Sequence, residues 1–218
     1  MLIHRPVMLK EVLSFLNLKD GGIVLDATVG GGAHAIEMLK RVLPGGRLIG
    51  LDADKSALDI TETTLKDFNG SFKLINGNFR DLDALIVNEG IKGFDAILFD
   101  VGVSSYQIEN GVRGFSIKED AILDMRMDPL LALTAYDIVN KYKEKDLSEL
   151  IEKFGEERLH ARIARFIVSE RSKRPIETTH DLAAIIRKAA GFRYRKSRID
   201  PATRTFQARR ISVNEERE

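Results

Sequence analysis

Asp26-Ala27-Thr28-Val29-Gly30-Gly31-Gly32-Ala33-His34 is the stretch that decides how this chain folds. The apolar run Ile23-Val24-Leu25 leads into it, and Ala35-Ile36-Glu37-Met38-Leu39, with helical character, leads out. Consecutive glycines between a strand and a helix let the backbone come close to a ligand. Gly30 to Ala35 fits the spacing G-x-G-x-x-G/A, and Asp52 follows Gly32 by 20 residues. A carboxylate there accepts hydrogen bonds from ribose hydroxyls. On spacing alone, the loop suits a dinucleotide and an adenosine-bearing methyl donor equally.

Strand and helix patterns alternate on either side of this loop. Short apolar runs occur at Ile23 to Ala27, Arg47 to Leu51, Phe72 to Ile75 and Phe94 to Phe99. Helical patterns occur at Val7 to Leu16, Ala33 to Val42, Lys55 to Phe68 and Phe79 to Asn88. This alternation predicts a parallel sheet covered by helices, with right-handed crossovers. The last strand, Phe94 to Phe99, reads as buried on both faces. After Asp100 the pattern changes. Residues 101–130 are loop-like, and from Thr134 helical patterns follow at Asp146 to Phe154, Glu156 to Arg171, Thr179 to Ala190 and from Pro201. The expected division is an α/β domain over 1–115, a basic helical insertion over 116–200, and a helix over 201–218 returning to the first domain.

Composition narrows the chemistry. The chain has 218 residues and no cysteine, which excludes disulfides, thiol catalysis and cysteine metal sites and fits a cytoplasmic protein. Its four histidines show no metal-ligand spacing, so no metal is expected. No apolar run approaches the roughly 20 residues of a membrane helix, and no membrane partner is expected. The net charge of +1 conceals an asymmetry: residues 158–210 carry 15 Lys and Arg against 4 Asp and Glu. Such a block is an electrostatic footprint for a polyanion.

Two features favour a methyl donor over a dinucleotide. Asp26 precedes the glycines, where a carboxylate repels a pyrophosphate but suits a ligand bearing a sulfonium and an ammonium group. Phe79, after Gly77-Asn78, is placed to cover one face of an adenine. Asp100 ends the fourth strand, where open α/β sheets bind ligands, and can accept a hydrogen bond from an amine undergoing methylation. The run "LDMRMD", Leu123 to Asp128, fits neither period and reads as a functional loop.

The motifs "TVGGGAH", "GNF", "FDVGVSSYQI", "RGFS", "LDMRMD", "GEER", "PIETTHDLA" and "PATRTFQARRISVN" occur in this order between Thr28 and Asn214. Together they resemble the bacterial small-subunit ribosomal RNA cytosine-N4 methyltransferase family, RsmH or MraW. The resemblance implies a Rossmann-like, class I methyltransferase sheet with a helical insertion. It also implies S-adenosyl-L-methionine as donor and a cytidine in the decoding region of 16S rRNA, within the small ribosomal subunit, as acceptor. Carried over by position, the donor site is Gly30, Gly32, Ala33, His34, Asp52, Phe79, Asp100 and Gln107, with Asp100 also the catalytic residue. Arg158, Arg162, Arg165, Arg171, Lys173, Arg193, Arg195, Lys196 and Arg198 are expected to hold RNA phosphates.

Three positions depart from the family pattern. Ala33 stands where the family has glycine, and at positive φ its methyl group would crowd the methionine end of the donor. Asp200 replaces a histidine, and Arg209 an aliphatic residue, which places a charge where the last helix packs. The sequence stops where the family continues into further strands. The reading is therefore of a truncated chain, or of a protomer completed by a partner such as a second copy. A catalytically inactive RNA-binding relative is the alternative function.

Overall fold

The computed structural model describes residues 6–88, 90–102, 111–191 and 199–216. Gln107, Arg193, Arg195, Lys196 and Arg198 lie outside the described residues. Two compact units result, Met1–Tyr106 and Gln107–Glu218.

The first unit is a parallel four-stranded sheet of β1 (Ile23–Asp26), β2 (Arg47–Asp52), β3 (Phe72–Asn76) and β4 (Ala96–Leu98), in the order β3-β2-β1-β4. Val24 pairs with Leu48 on one side and Ala96 on the other, so β1 is central. Its neighbours in the chain run outward to β3, and the chain then returns to add β4 on the other side. The order reverses between β1 and β4, and open α/β sheets bind ligands at that switch, beyond the carboxyl ends of the strands. Helices α1 (Leu9–Leu16), α2 (Ala33–Val42), α3 (Lys55–Thr64) and α4 (Leu82–Asn88) complete the unit.

Alternation along the central strands splits the core in two. Val24, Leu48 and Leu98 pack with Met38, Leu39 and Leu58, whereas Leu25, Ile49 and Leu51 pack with Ala27 and Ile91. Strands buried on both faces yield the continuous apolar runs seen in the sequence. The fourth strand departs from that expectation. It is three residues long and pairs only with β1, and Ile97, Phe99 and Val101 are exposed. Apolar sequence there does not translate into burial.

The second unit packs α5 (Ala135–Lys141), α6 (Glu144–Gly155), α7 (His160–Arg171), α8 (Thr179–Ala190) and α9 (Ala202–Asn214) around one core that includes Met125, Ile138, Leu147, Ile163, Leu182 and Phe206. Polar residues fix its geometry. Thr134 and Asp137 form a reciprocal capping box at the start of α5. Asp200 accepts the Ala202 N–H at 2.8 Å and pairs with Arg187, which explains an aspartate before Pro201. Helix α9 packs chiefly against α6. Helix α9 thus lies within the helical unit. The cause is its apolar face: Ala202, Phe206, Ala208 and Val213 fill the helical core.

The "LDMRMD" segment is architectural. Met125, at φ +61, is fully buried in the helical core. Arg126 is clamped by Asp124 and donates to the Pro129 and Leu131 carbonyls. Asn214 of α9 donates to the Met125 carbonyl at 2.8 Å and accepts the Met127 N–H at 2.7 Å. In "RGFS", a Cβ on Gly114 would collide with the Ile122 carbonyl, so only glycine fits.

Candidate active site

Three carboxylates stand at adjacent strand ends in the first unit: Asp26 closes β1, Asp52 closes β2, and Asp100 lies two residues beyond β4. The glycine loop is wedged between Asp52 and α3. Gly30 donates its N–H to Asp52 Oδ2 at 2.9 Å, and the Thr61 hydroxyl donates to the Gly30 carbonyl at 2.5 Å. Asp54 donates its N–H to Asp52 Oδ1 at 2.9 Å. Each Asp52 oxygen thus accepts one backbone N–H and keeps a lone pair for a further donor.

Gly32 is the residue in the left-handed region, with φ +83, and a Cβ there would lie 3.2 Å from the Thr61 methyl group. Ala33 is already the first residue of α2 and is not among the positive-φ residues. The crowding expected of its methyl group at positive φ therefore does not arise.

The electrostatics are those of a cation site. Asp26 is 1% exposed, and among the described residues its carboxylate accepts one hydrogen bond, from the Thr28 N–H at 3.3 Å. Burial, reinforced by the charges of Asp52 and Asp100 and opposed by that hydrogen bond, raises its pKa to about 7. Burial also raises Asp52, against the N–H groups of Asp54 and Gly30. A ligand that brings positive charge relieves this repulsion, whereas a pyrophosphate adds to it.

Asp100 is half exposed, and its backbone N–H donates to the Thr28 hydroxyl at 2.7 Å, tying β4 to the β1 loop at the switch point. His34 lies 3.7 Å from Asp100 Oδ2 through Nδ1. Its Nε2 is 3.1 Å from the Val7 carbonyl, so the ring is held from both sides, by the N-terminal segment and by the end of β4. Phe79 opens a short 3-10 turn after β3. It is half-buried, packs on the core beside Leu25 and Leu51, and meets Phe99 edge to face at 5.7 Å.

Thr28 and Thr61 are positions that sequence reading missed: their hydroxyls fix Asp100 and the Gly30 carbonyl. Thr61 falls in the apolar stripe of α3, and a threonine inside such a stripe is the available signal of a buried hydroxyl with a specific partner. Thr28 gives no such signal.

In the second unit, Arg158, Arg162 and Arg165 are exposed; Arg162 and Arg165, three apart, lie on one side of α7, and Arg158 lies in the turn that leads into it. Among the described residues Arg165 makes only a 4.0 Å contact with Glu144, and Arg162 lies over the Phe166 ring. Other basic residues already have partners. Arg171 donates to the Val139 and Tyr142 carbonyls, and Lys173 pairs with Glu170 at 2.8 Å. The structure uses Arg171 to hold α5 to α7, a role that the charge count could not foresee. Among the described residues no cluster suits a metal ion, and no helix is long and apolar enough to cross a membrane.

A Rossmann-like parallel sheet whose ligand cleft is acidic and built on a glycine loop defines the class: an S-adenosylmethionine-dependent methyltransferase. The chain belongs to the MraW methylase family, whose model matches residues 1–218. It is 45% identical over 215 residues to Ribosomal RNA small subunit methyltransferase H of Ruminiclostridium cellulolyticum, covering 98% of this chain and 69% of that protein. The corresponding protein of Syntrophus aciditrophicus is 46% identical over 215 residues, with 98% and 68% covered. Among solved structures, Aeropyrum pernix fibrillarin with natively bound S-adenosyl-L-methionine matches 48% of this chain and 45% of its own, at 20% identity and TM-score 0.35.

Proposed function

We propose that this chain transfers a methyl group from S-adenosyl-L-methionine to the exocyclic N4 of a cytidine in the decoding region of 16S rRNA, within the small ribosomal subunit. The carrying observation is the set of three carboxylates, Asp26, Asp52 and Asp100, around a glycine loop. It suits a cationic, phosphate-free nucleoside.

The residues fit that donor. The free lone pairs of Asp52 take ribose hydroxyls, Phe79 covers the adenine, and the Gly30–His34 turn leaves room beside the backbone. The buried Asp26 supplies negative charge behind the loop. When bound, the donor supplies an electrophilic methyl group on a sulfonium. Asp100, half exposed beyond β4, accepts a hydrogen bond from the cytosine amine as N4 becomes tetrahedral and takes its proton. That amine is a poor nucleophile because its lone pair is shared with the ring, so position and an acceptor matter more than activation. The cytidine must leave its stack to reach the site, at a cost of roughly a few kcal/mol. Arg158, in the turn before α7, and Arg162 and Arg165 on that helix hold RNA phosphates.

Methyl transfer from labelled donor to small subunits lacking the mark tests this reading. Transfer is expected with the unsubstituted chain and not with Asp100→Ala. Undiminished transfer by Asp100→Ala removes its catalytic role. RNA binding with no donor binding in calorimetry would leave an RNA-binding protein.

A further inference from the structure

Thr28 joins two of the carboxylate residues of the cleft. Its backbone N–H donates to Asp26 Oδ1 at 3.3 Å, and its hydroxyl accepts the Asp100 N–H at 2.7 Å. The residues on either side of it are pinned to opposite strands. The Ala27 N–H donates to the Leu98 carbonyl of β4 at 2.9 Å, and the Val29 N–H donates to the Leu51 carbonyl of β2 at 3.0 Å. Both neighbours are buried, so the Thr28 backbone has little freedom to move. A β-branched side chain is stiff at χ1, which fixes the hydroxyl oxygen relative to that backbone. Asp100 is placed differently. Strand β4 ends at Leu98, and among the described residues the main-chain bonds that join the β1 side to β4 end with that of Ala27. The Thr28 hydroxyl continues the ladder by one rung, through a side chain, at the residue whose carboxylate is half exposed. His34 stands 3.7 Å from Asp100 Oδ2, on the carboxylate and not on the backbone. Among the described residues, the bond to Thr28 is thus the hydrogen bond that holds the Asp100 main chain.

We propose that Thr28 is a positioning residue for methyl transfer: its hydroxyl fixes the Asp100 main chain and so sets where the Asp100 carboxylate meets the cytosine amine. This role rests on the catalytic part proposed for Asp100. A displacement of about 1 Å at a reacting group costs on the order of 100-fold in rate. Valine at position 28 keeps the shape and removes the acceptor, which frees the Asp100 N–H and lets the end of β4 shift. Serine keeps the oxygen but loses the branch that holds χ1, so it keeps most of the anchor and not all of it.

Steady-state methyl transfer by the full chain to small subunits lacking the mark, with donor affinity from calorimetry, tests it. Thr28→Val is expected to lower kcat about 100-fold, while KM for the subunit and the donor dissociation constant stay within about threefold. Thr28→Ser is expected to recover most of kcat. Amide hydrogen exchange at Asp100, which needs no activity, is expected to be about tenfold faster in Thr28→Val than in the unsubstituted protein and in Thr28→Ser. Thr28→Ala removes the same oxygen without a replacing methyl group and repeats the test if the valine variant unfolds. Full kcat in Thr28→Val with Asp100→Ala inactive overturns this role and leaves that of Asp100 standing. So does a loss that appears in donor affinity and not in kcat, an absence of recovery with serine, or unchanged exchange at Asp100. Undiminished transfer by Asp100→Ala, or no transfer by the unsubstituted chain, overturns the proposed function itself, and the role of Thr28 falls with it whatever the exchange rate.

Discussion

Replacing Asp26 with asparagine should stabilise this protein at alkaline pH and weaken its hold on the methyl donor. Asp26 is fully buried at the end of β1, and its pKa lies at about 7 against an ordinary value of 3.8. The folded state therefore binds more protons than the unfolded state between those limits, and stability falls as pH rises across them. The stabilising contribution of the protonated carboxyl is fully present below 3.8 and is lost as pH passes about 7. The interval corresponds to roughly 4 kcal/mol. Asparagine keeps the shape and carries no charge at any pH. Its advantage over aspartate should grow by about 1.4 kcal/mol per pH unit and flatten above neutrality. Urea unfolding should show Asp26→Asn gaining roughly 3 kcal/mol more over the unsubstituted protein at pH 8 than at pH 5.

The same carboxylate links donor binding to protons. A cationic ligand favours ionised Asp26, so binding near pH 6 should release a proton. Calorimetric heats measured in buffers of different ionisation enthalpy reveal that release. Asp26→Asn should abolish it and bind the donor more weakly. A stability difference independent of pH, or proton release that survives the substitution, would refute the reasoning, because neither is compatible with a buried carboxylate at that position titrating near neutrality.

Three further outcomes follow from local geometry. Gly32→Ala combines φ +83 with a 3.2 Å contact to Thr61 and should cost about 1–2 kcal/mol in thermal unfolding while loosening donor binding. Asn214→Ala removes hydrogen bonds with the Met125 and Arg210 carbonyls and the Met127 N–H, leaving buried groups unpaired. It should lower stability by about 2–4 kcal/mol in urea unfolding, and a change under about 0.5 kcal/mol would mean the clasp is not needed. Changing Arg158, Arg162 and Arg165 together to glutamine should reduce the log–log salt slope of RNA affinity by roughly 2 to 3. Lys173→Gln, whose cation already has Glu170, should leave that slope nearly unchanged.

Sequence was most legible where one physical requirement dominated. Strands buried on both faces must be apolar throughout, so β1 and β2 stood out. A chain that must pass close to a ligand needs glycine, so the turn at Gly30–Gly32 did too. Reading failed where one residue type serves two ends. Apolar residues at 96–101 suggested a covered strand, yet hydrophobicity does not specify what covers it, and Ile97 and Phe99 are exposed. Arginines at 158, 162 and 171 look alike in a charge count. Only packing shows that Arg171 turns inward to two carbonyls.

The motifs that point to the family divide along the same line. "TVGGGAH", "GNF" and the start of "FDVGV" meet at the carboxyl ends of parallel strands, where their carboxylates and backbone can act on a ligand. "RGFS", "LDMRMD" and "PIETTHDLA" instead latch the helical unit together. Thr179 accepts the Ala121 N–H and donates to the Glu119 carbonyl, and Asn140 donates to the Ile176 carbonyl and accepts the Ile176 N–H. A polar motif in an irregular segment is therefore as readily the price of an ordered loop as the sign of chemistry. What separates the two is whether its hydrogen-bonding capacity is used up. In the clasp around Arg126 and Asn214 the donors and acceptors are matched within the fold. At Asp26 they are not, and there the fold has charge left for a ligand.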